Sequence, residues 1–152
     1  PLHFADMLIR AQLGVAGVGL ELNYGYWPGG TLPRDILELN RLIDQWYVQF
    51  NNSPLVIFLT VPSSAEPDAL AYGAARPLAG LADDGPSIQS QCALVEQLVP
   101  MLLAKQAVHG VVWNQMRDDV SHEFPHGGLF DLQGRRKPAL DFLAEVRRQH
   151  LV

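Results

Sequence analysis

The sequence has a single cysteine, no long apolar run and no block of basic residues, and each shortage removes a class of explanation. With Cys92 alone, no disulfide can close within the 152 residues, so the fold rests on packing. The most apolar stretch, PLVIFLTV over 54–61, is far shorter than the roughly 18 residues a membrane-spanning helix requires. Charged residues make up 18% of the chain and the formal net charge is -5. A mildly acidic chain without basic runs offers no electrostatic grip for nucleic acid or for an anionic membrane surface, and neither is expected as a partner. What is present is globular: 48% hydrophobic residues and a length suited to one domain with a real core. Pro1 falls in what already reads as a helix, without an initiator Met, so the expectation is a start inside a longer protein.

Along the chain, helical and strand patterns alternate. PLHFADMLIRAQL carries apolar residues at helical spacing and stops at Gly14. VAGVGLELN reads as a strand with Val18, Leu20 and Leu22 on one face and Gly19, Glu21 and Asn23 on the other. Thr31 is placed to cap a helix to about Phe50, with Ile36, Leu39, Leu42, Ile43, Trp46 and Tyr47 inward. Residues 54–61 form a second strand, covered on both faces. Ser87 opens a helix to about Lys105, HGVVWN over 109–114 is a third strand, and Pro138 begins a last helix. The order α-β-α-β-α-β-α means a parallel sheet with helices outside it. A doubly wound open sheet and a (β/α)8 barrel both fit. The long segments 62–86 and 115–136 follow strands, where a barrel gathers its chemistry, and this favours the barrel. A full barrel takes about 250 residues, so the expectation is an α/β fold forming the C-terminal part of one.

The final segment, GVVWNQMRDDVSHEFPHGGLFDLQGRRKPALDFL, resembles the last strand and helix of glycoside hydrolase family 10, the endo-β-1,4-xylanases. The likeness lies in Trp113, Asp118, Ser121, Leu129-Phe130-Asp131 and Lys137-Pro138-Ala139. Upstream, GVGLELNYG is similar to the family's sixth strand and VIFLTVPSS to its seventh. The resemblance implies one partial barrel over 1–152 with no second domain, no cofactor and no metal, acting on a poly- or oligosaccharide of the xylan type. It implies an extracellular or periplasmic setting. It also implies a missing N-terminal half of the barrel as partner, which would supply the acid/base carboxylate. A retaining glycosidase needs two carboxylates about 5–5.5 Å apart. On the family's seventh-strand pattern Phe58 takes the position of the nucleophilic Glu, and Thr60 that of a following Asp. Glu21 is then the replacement candidate for catalysis, on the lumen side with Asn23, where the family has a Gln and a His. The alternative is a degenerate barrel that binds carbohydrate without hydrolysing it.

The stretch NYGYWPGG, residues 23–30, follows Glu21 with three aromatic rings. Tyr24, Tyr26 and Trp27 are candidates for stacking on a sugar face at the mouth of the barrel. Trp113, the family's sugar-site floor, joins them, with Asn114 and Asp118 as further substrate contacts. Other patterns carry less. HEFPH, 122–126, has the spacing of a zinc-protease motif, but Pro125 and the following glycines deny it the helix that would bring His122 and His126 together. It reads as an exposed loop, with Glu123 in reach of substrate. GVAGVG precedes a strand and not a helix, so it is no dinucleotide fingerprint. Asp83-Asp84 and Asp118-Asp119 are acidic loop pairs, and Asn51-Asn52-Ser53 has the form of a glycosylation site.

Overall fold

In the computed structural model, which describes residues 2–11, 14–32, 35–81 and 85–150, helices and strands alternate as the patterning requires. Helix α1 (Leu2–Arg10) precedes strand β1 (Val18–Asn23), then comes a two-residue strand β2 (Tyr26–Trp27) and helix α2 (Ile36–Gln49). Strand β3 (Leu55–Thr60), a second two-residue strand β4 (Arg76–Pro77), helix α3 (Ile88–Leu103), strand β5 (Val108–Trp113) and helix α4 (Pro138–His150) follow. Pro1, Leu13, Asp83 and Asp84 lie outside the described residues.

The helix boundaries follow local chemistry. Asp35, not Thr31, caps α2: its carboxylate accepts from the Leu37 N–H at 2.6 Å. Thr31 instead sits beside Tyr24, its N–H bonded to Asn23 O and its carbonyl taking the Gly25 N–H. Ser87 caps α3 in a reciprocal box with Ser90, as its position before the apolar run indicates. Asn51 and Asn52 both take left-handed backbone conformations just past α2, so the glycosylation-like triplet has a structural use as a helix stop.

The three long strands form one parallel sheet in the order β1-β3-β5. Leu55, Ile57 and Leu59 of β3 are fully buried on the face that α2, α3 and α4 cover, with Ile43, Val95, Leu98, Leu102 and Ala139 packed around them. Each such side chain contributes about 1.5–3 kcal/mol. The opposite face carries Gly19 and Glu21 of β1, Val56 and Phe58 of β3, and Gly110 and Val112 of β5. That face is the concave one of a barrel. Register sets Glu21 beside Phe58, Phe58 beside Val112, and Asn23 beside Thr60.

Above the sheet, β2 and β4 pair antiparallel, joining the loop after β1 to the loop after β3. The aromatic stretch is therefore ribbon as well as turn. A methyl group on Gly30 would lie 2.5 Å from Tyr26 O and 2.7 Å from Asn23 O, so only glycine lets the chain fold back there.

Candidate active site

Strand β1, the segment after β5 and the loop after β3 border a cavity of about 420 Å³ lined by Glu21, Asn114, Met116, Arg117, Tyr72 and Glu123 among others. Glu21 is exposed on the concave face, and the Asn23 amide donates to its carboxylate at 3.3 Å. Asn114 in turn donates to the Asn23 side-chain oxygen Oδ1 at 3.2 Å. Asn114, Asn23 and Glu21 thus form a polar chain across β5 and β1, holding one carboxylate at the cavity floor. Phe58 is the neighbour of Glu21 in register, so no second acid stands at that level of β3. Glu123 reaches the cavity from the loop after β5, and Arg117, also there, is bound by Asp119 in a two-pronged pair.

The aromatic candidates Tyr24, Tyr26, Trp27 and Trp113 do not line this cavity. Tyr24 is buried in the helix-side core, continuing the face of Leu20 and Leu22. Tyr26 is 0% exposed, tilted against Phe124 with ring centroids 5.3 Å apart, and its hydroxyl donates to Pro125 O at 2.9 Å. Burial, followed by the charges of Asp118 and Asp68, pushes its pKa well above that of an ordinary phenol, so it stays a neutral donor. A ring enclosed in this way presents no face to a sugar. Trp27, 58% exposed, does present one. Trp113 pairs with Leu59, which turns its ring to the helix side, into a cleft with Val99, Leu103, Leu143 and Val146. Its indole N–H donates to Gly127 O at 2.9 Å.

Asp118 is a buried hub. Its carboxylate accepts from the Gly128 N–H at 2.6 Å, from Gln115 at 3.1 Å and from the Lys137 ammonium at 2.6 Å. Lys137 also donates to Ser63 Oγ at 2.8 Å and to Gly128 O at 2.8 Å. Burial pushes the lysine pKa down, and Asp118 opposes that shift. Ser63 Oγ accepts from the Lys137 ammonium and donates to His126 O at 3.1 Å, so the lysine stands as a donor to the serine and not as its base.

His122 and His126 are buried, contrary to the exposed loop expected for HEFPH. The reason lies in Asp68, fifty-four residues from His122 in sequence. Its carboxylate bonds His122 Nε2 at 2.8 Å and accepts from the His126 N–H at 3.0 Å, while His126 Nε2 meets Glu66 O at 3.0 Å. Segment 122–126 is not helical, so the two imidazoles serve as fasteners between the loops after β3 and β5. Burial alone would raise the Asp68 pKa, but the bonds from His126 N–H, His122 and Leu70 N–H outweigh it and hold the carboxyl below the usual range. A depressed carboxylate pKa stabilises the fold fully above the unfolded value of about 4 and is lost as pH falls through the folded value. Asp68→Ala should therefore lower stability by about 3 kcal/mol or more at neutral pH. Below about pH 4 its deficit should shrink. Denaturant melts of both proteins across pH 2.5–7 check this, and a pH-independent deficit would count against the carboxylate as the fastener.

Similar folds occur in glycoside hydrolases. The β-glucuronidase of Faecalibacterium prausnitzii matches 89% of this chain with a TM-score of 0.61 and 18% identity, over 22% of its own chain. A β-glucuronidase of Ruminococcus gnavus matches 86% with a TM-score of 0.54 and 18% identity, also over 22% of its length. A thermostable mutant of a xylanase from Cellvibrio japonicus matches 95% with a TM-score of 0.55 and 16% identity, over 43% of its length. The chain is folded as part of a (β/α)8 barrel. It spans less than half of each of these proteins, and at such identities the likeness is one of fold. No protein-family model and no curated protein matches the sequence.

Proposed function

We propose that the chain forms the sixth to eighth βα units of a glycosidase-like barrel acting on β-linked polysaccharide of the xylan type, with Glu21 as its one cavity-floor carboxylate. The observation that carries this reading is the polar chain Asn114–Asn23–Glu21, set on the concave face at the C-terminal ends of parallel strands and opening into the cavity. That is where barrel enzymes keep their chemistry. The fold neighbours support it, being a xylanase and β-glucuronidases by name. The resemblance of the C-terminal block to family 10 narrows the reading to β-1,4-linked glycans.

In this reading the whole of 1–152 is a single piece of one barrel domain. The N-terminal units supply the second carboxylate, within the spacing a retaining displacement needs. Glu21 donates a proton to the departing glycosidic oxygen, takes one from the attacking water, or attacks the anomeric carbon as that oxygen leaves protonated by the second carboxyl group. Asn23 holds it in place. Trp27, at the exposed edge of the β2–β4 ribbon, offers a ring to an outer part of the saccharide. Tyr24, Tyr26, Trp113 and Asp118 act as supports beneath the site.

A second reading has one observation in its favour. Phe58 occupies the concave face beside Glu21, where an apolar ring can neither attack nor transfer a proton. A barrel built this way binds glycan without cutting it. Incubating the full-length protein with xylan and with mixed-linkage β-glucan separates the readings. Release of reducing ends supports the hydrolase, and retention on insoluble xylan without release supports the binding protein. Neither release nor retention on any β-glycan would remove both.

A further inference from the structure

Tyr72 is 72% exposed, the most exposed of the large hydrophobic side chains among the described residues, yet its backbone is bonded to a second loop. Its N–H donates to His122 O at 2.9 Å, and the His122 N–H donates to Leu70 O at 3.1 Å, so the two long loops run side by side there. The next residue, Gly73, lies so close to Glu123 that a methyl group on it would sit 2.2 Å from the Glu123 carbonyl oxygen. Beneath this contact Asp68 clamps His122 and the His126 N–H. An exposed ring on a slack loop would mean nothing, since single apolar side chains are common on surfaces. Here the ring is mounted where the two loops are bonded to each other, and its hydroxyl meets no protein group among the described residues.

What the ring faces is equally specific. Tyr72 lines the same cavity as Glu21, Asn114, Met116, Val120 and Glu123. Its volume of about 420 Å³ lies within the range of small-ligand sites. The wall thus combines one flat aromatic face, apolar Met116 and Val120, and polar acceptors and donors from Glu123 and Asn114. A pyranose ring has the matching chemistry: C–H bonds on its faces for an aromatic ring, and hydroxyls around its edge for carboxylate and amide groups.

We propose that Tyr72 is the stacking platform of an outer sugar subsite on the rim of the Glu21 cavity, with Glu123 bonding the hydroxyls of the same sugar unit. The inference rests on the carbohydrate reading above and adds to it the residue that grips a unit beyond the one at Glu21. An outer subsite acts only on chains long enough to reach it. The test titrates the full-length protein and its Tyr72→Ala and Tyr72→Phe variants with xylohexaose, cellohexaose and their disaccharides, by calorimetry. Tyr72→Ala should weaken hexasaccharide binding roughly tenfold, as expected for one lost aromatic contact, and leave disaccharide binding unchanged. Tyr72→Phe should stay within about twofold of the parent, because stacking needs the ring and not the hydroxyl. The ring is exposed, so both variants should melt with the parent protein. Equal loss for both saccharide lengths, or none, overturns the subsite while leaving the carbohydrate reading intact. A parent protein that binds none of the four saccharides overturns both.

Discussion

Lys137→Met should cost about 3–5 kcal/mol of stability, the loss typical of a buried ion pair stripped of one partner. The ammonium is the only cation that meets Asp118 among the described ion pairs, and both side chains are 2% exposed. A methionine can fill the space of the lysine stem. It leaves Asp118 charged, buried and held only by Gly128 N–H and Gln115. It also removes the lysine's bonds to the hydroxyl of Ser63 and to the carbonyl of Gly128, which keeps only a longer bond from Gln91 at 3.3 Å. Since total stabilities run near 5–15 kcal/mol, the melting temperature should fall by roughly 6–20 °C. Adding Asp118→Asn to Lys137→Met should recover part of that loss, because the penalty comes chiefly from the stranded charge. Thermal and denaturant unfolding of the two variants decide the matter. A single variant melting within about 2 °C of the parent would show the pair to be dispensable.

This cluster also marks the limit of what the sequence reveals. Lys137 and Asp118 stand out in a C-terminal block similar to that of a glycosidase family, and from that block alone Asp118 looks like a sugar contact. It is bonded instead by Gln115, Gly128 N–H and Lys137, and the lysine in turn reaches Ser63 on a distant segment, so no spacing rule links them. Asp68 is the same case: its bonds to His122 and His126 span more than fifty residues, so HEFPH reads as a loop of incidental histidines until the loops are seen side by side. The strands and helices, by contrast, are readable because their signals are local. Leu55, Ile57 and Leu59 alternate with Val56 and Phe58, and Ser87 precedes an apolar helical stripe.

Trp113, which the family resemblance puts on the floor of the sugar site, is turned to the helix side by a bulge. The pairing of β3 with β5 slips between Leu55 and Val56, which sit opposite Val108 and Gly110. His109 is the extra residue. A one-residue slip exchanges the two faces of a strand, and from there on Gly110 and Val112 face the concavity while Val111 and Trp113 face the helices. Nothing in HGVVWN announces the bulge. Tyr24, expected to stack on a sugar, instead extends the Leu20 and Leu22 face of β1 directly into the core. Glu21 was the most legible of all, because β1 has no slip against β3 and strict alternation fixes its side.

Glu21→Gln should reduce glycan hydrolysis by the full-length protein by about 10²–10⁴-fold, the usual worth of a positioned proton-transfer group. Binding of the saccharide should stay within about threefold, since the amide keeps the shape and one acceptor of the carboxylate. The bond from Asn23 can persist, as its amide donates equally well to a Gln carbonyl oxygen at that place. Asn23→Ala makes the complementary case. It leaves the carboxylate but removes both its donor and the link to Asn114, so hydrolysis should fall by a smaller factor, near tenfold, through loss of orientation. The order of the two effects matters more than either size. If Glu21 does the proton transfer, the Gln variant must be the worse of the two. If hydrolysis is unchanged in Glu21→Gln, the chemistry lies with carboxylates on the other strands of the barrel. Phe58 then belongs to a sugar-binding wall, and this chain contributes grip without contributing the reaction.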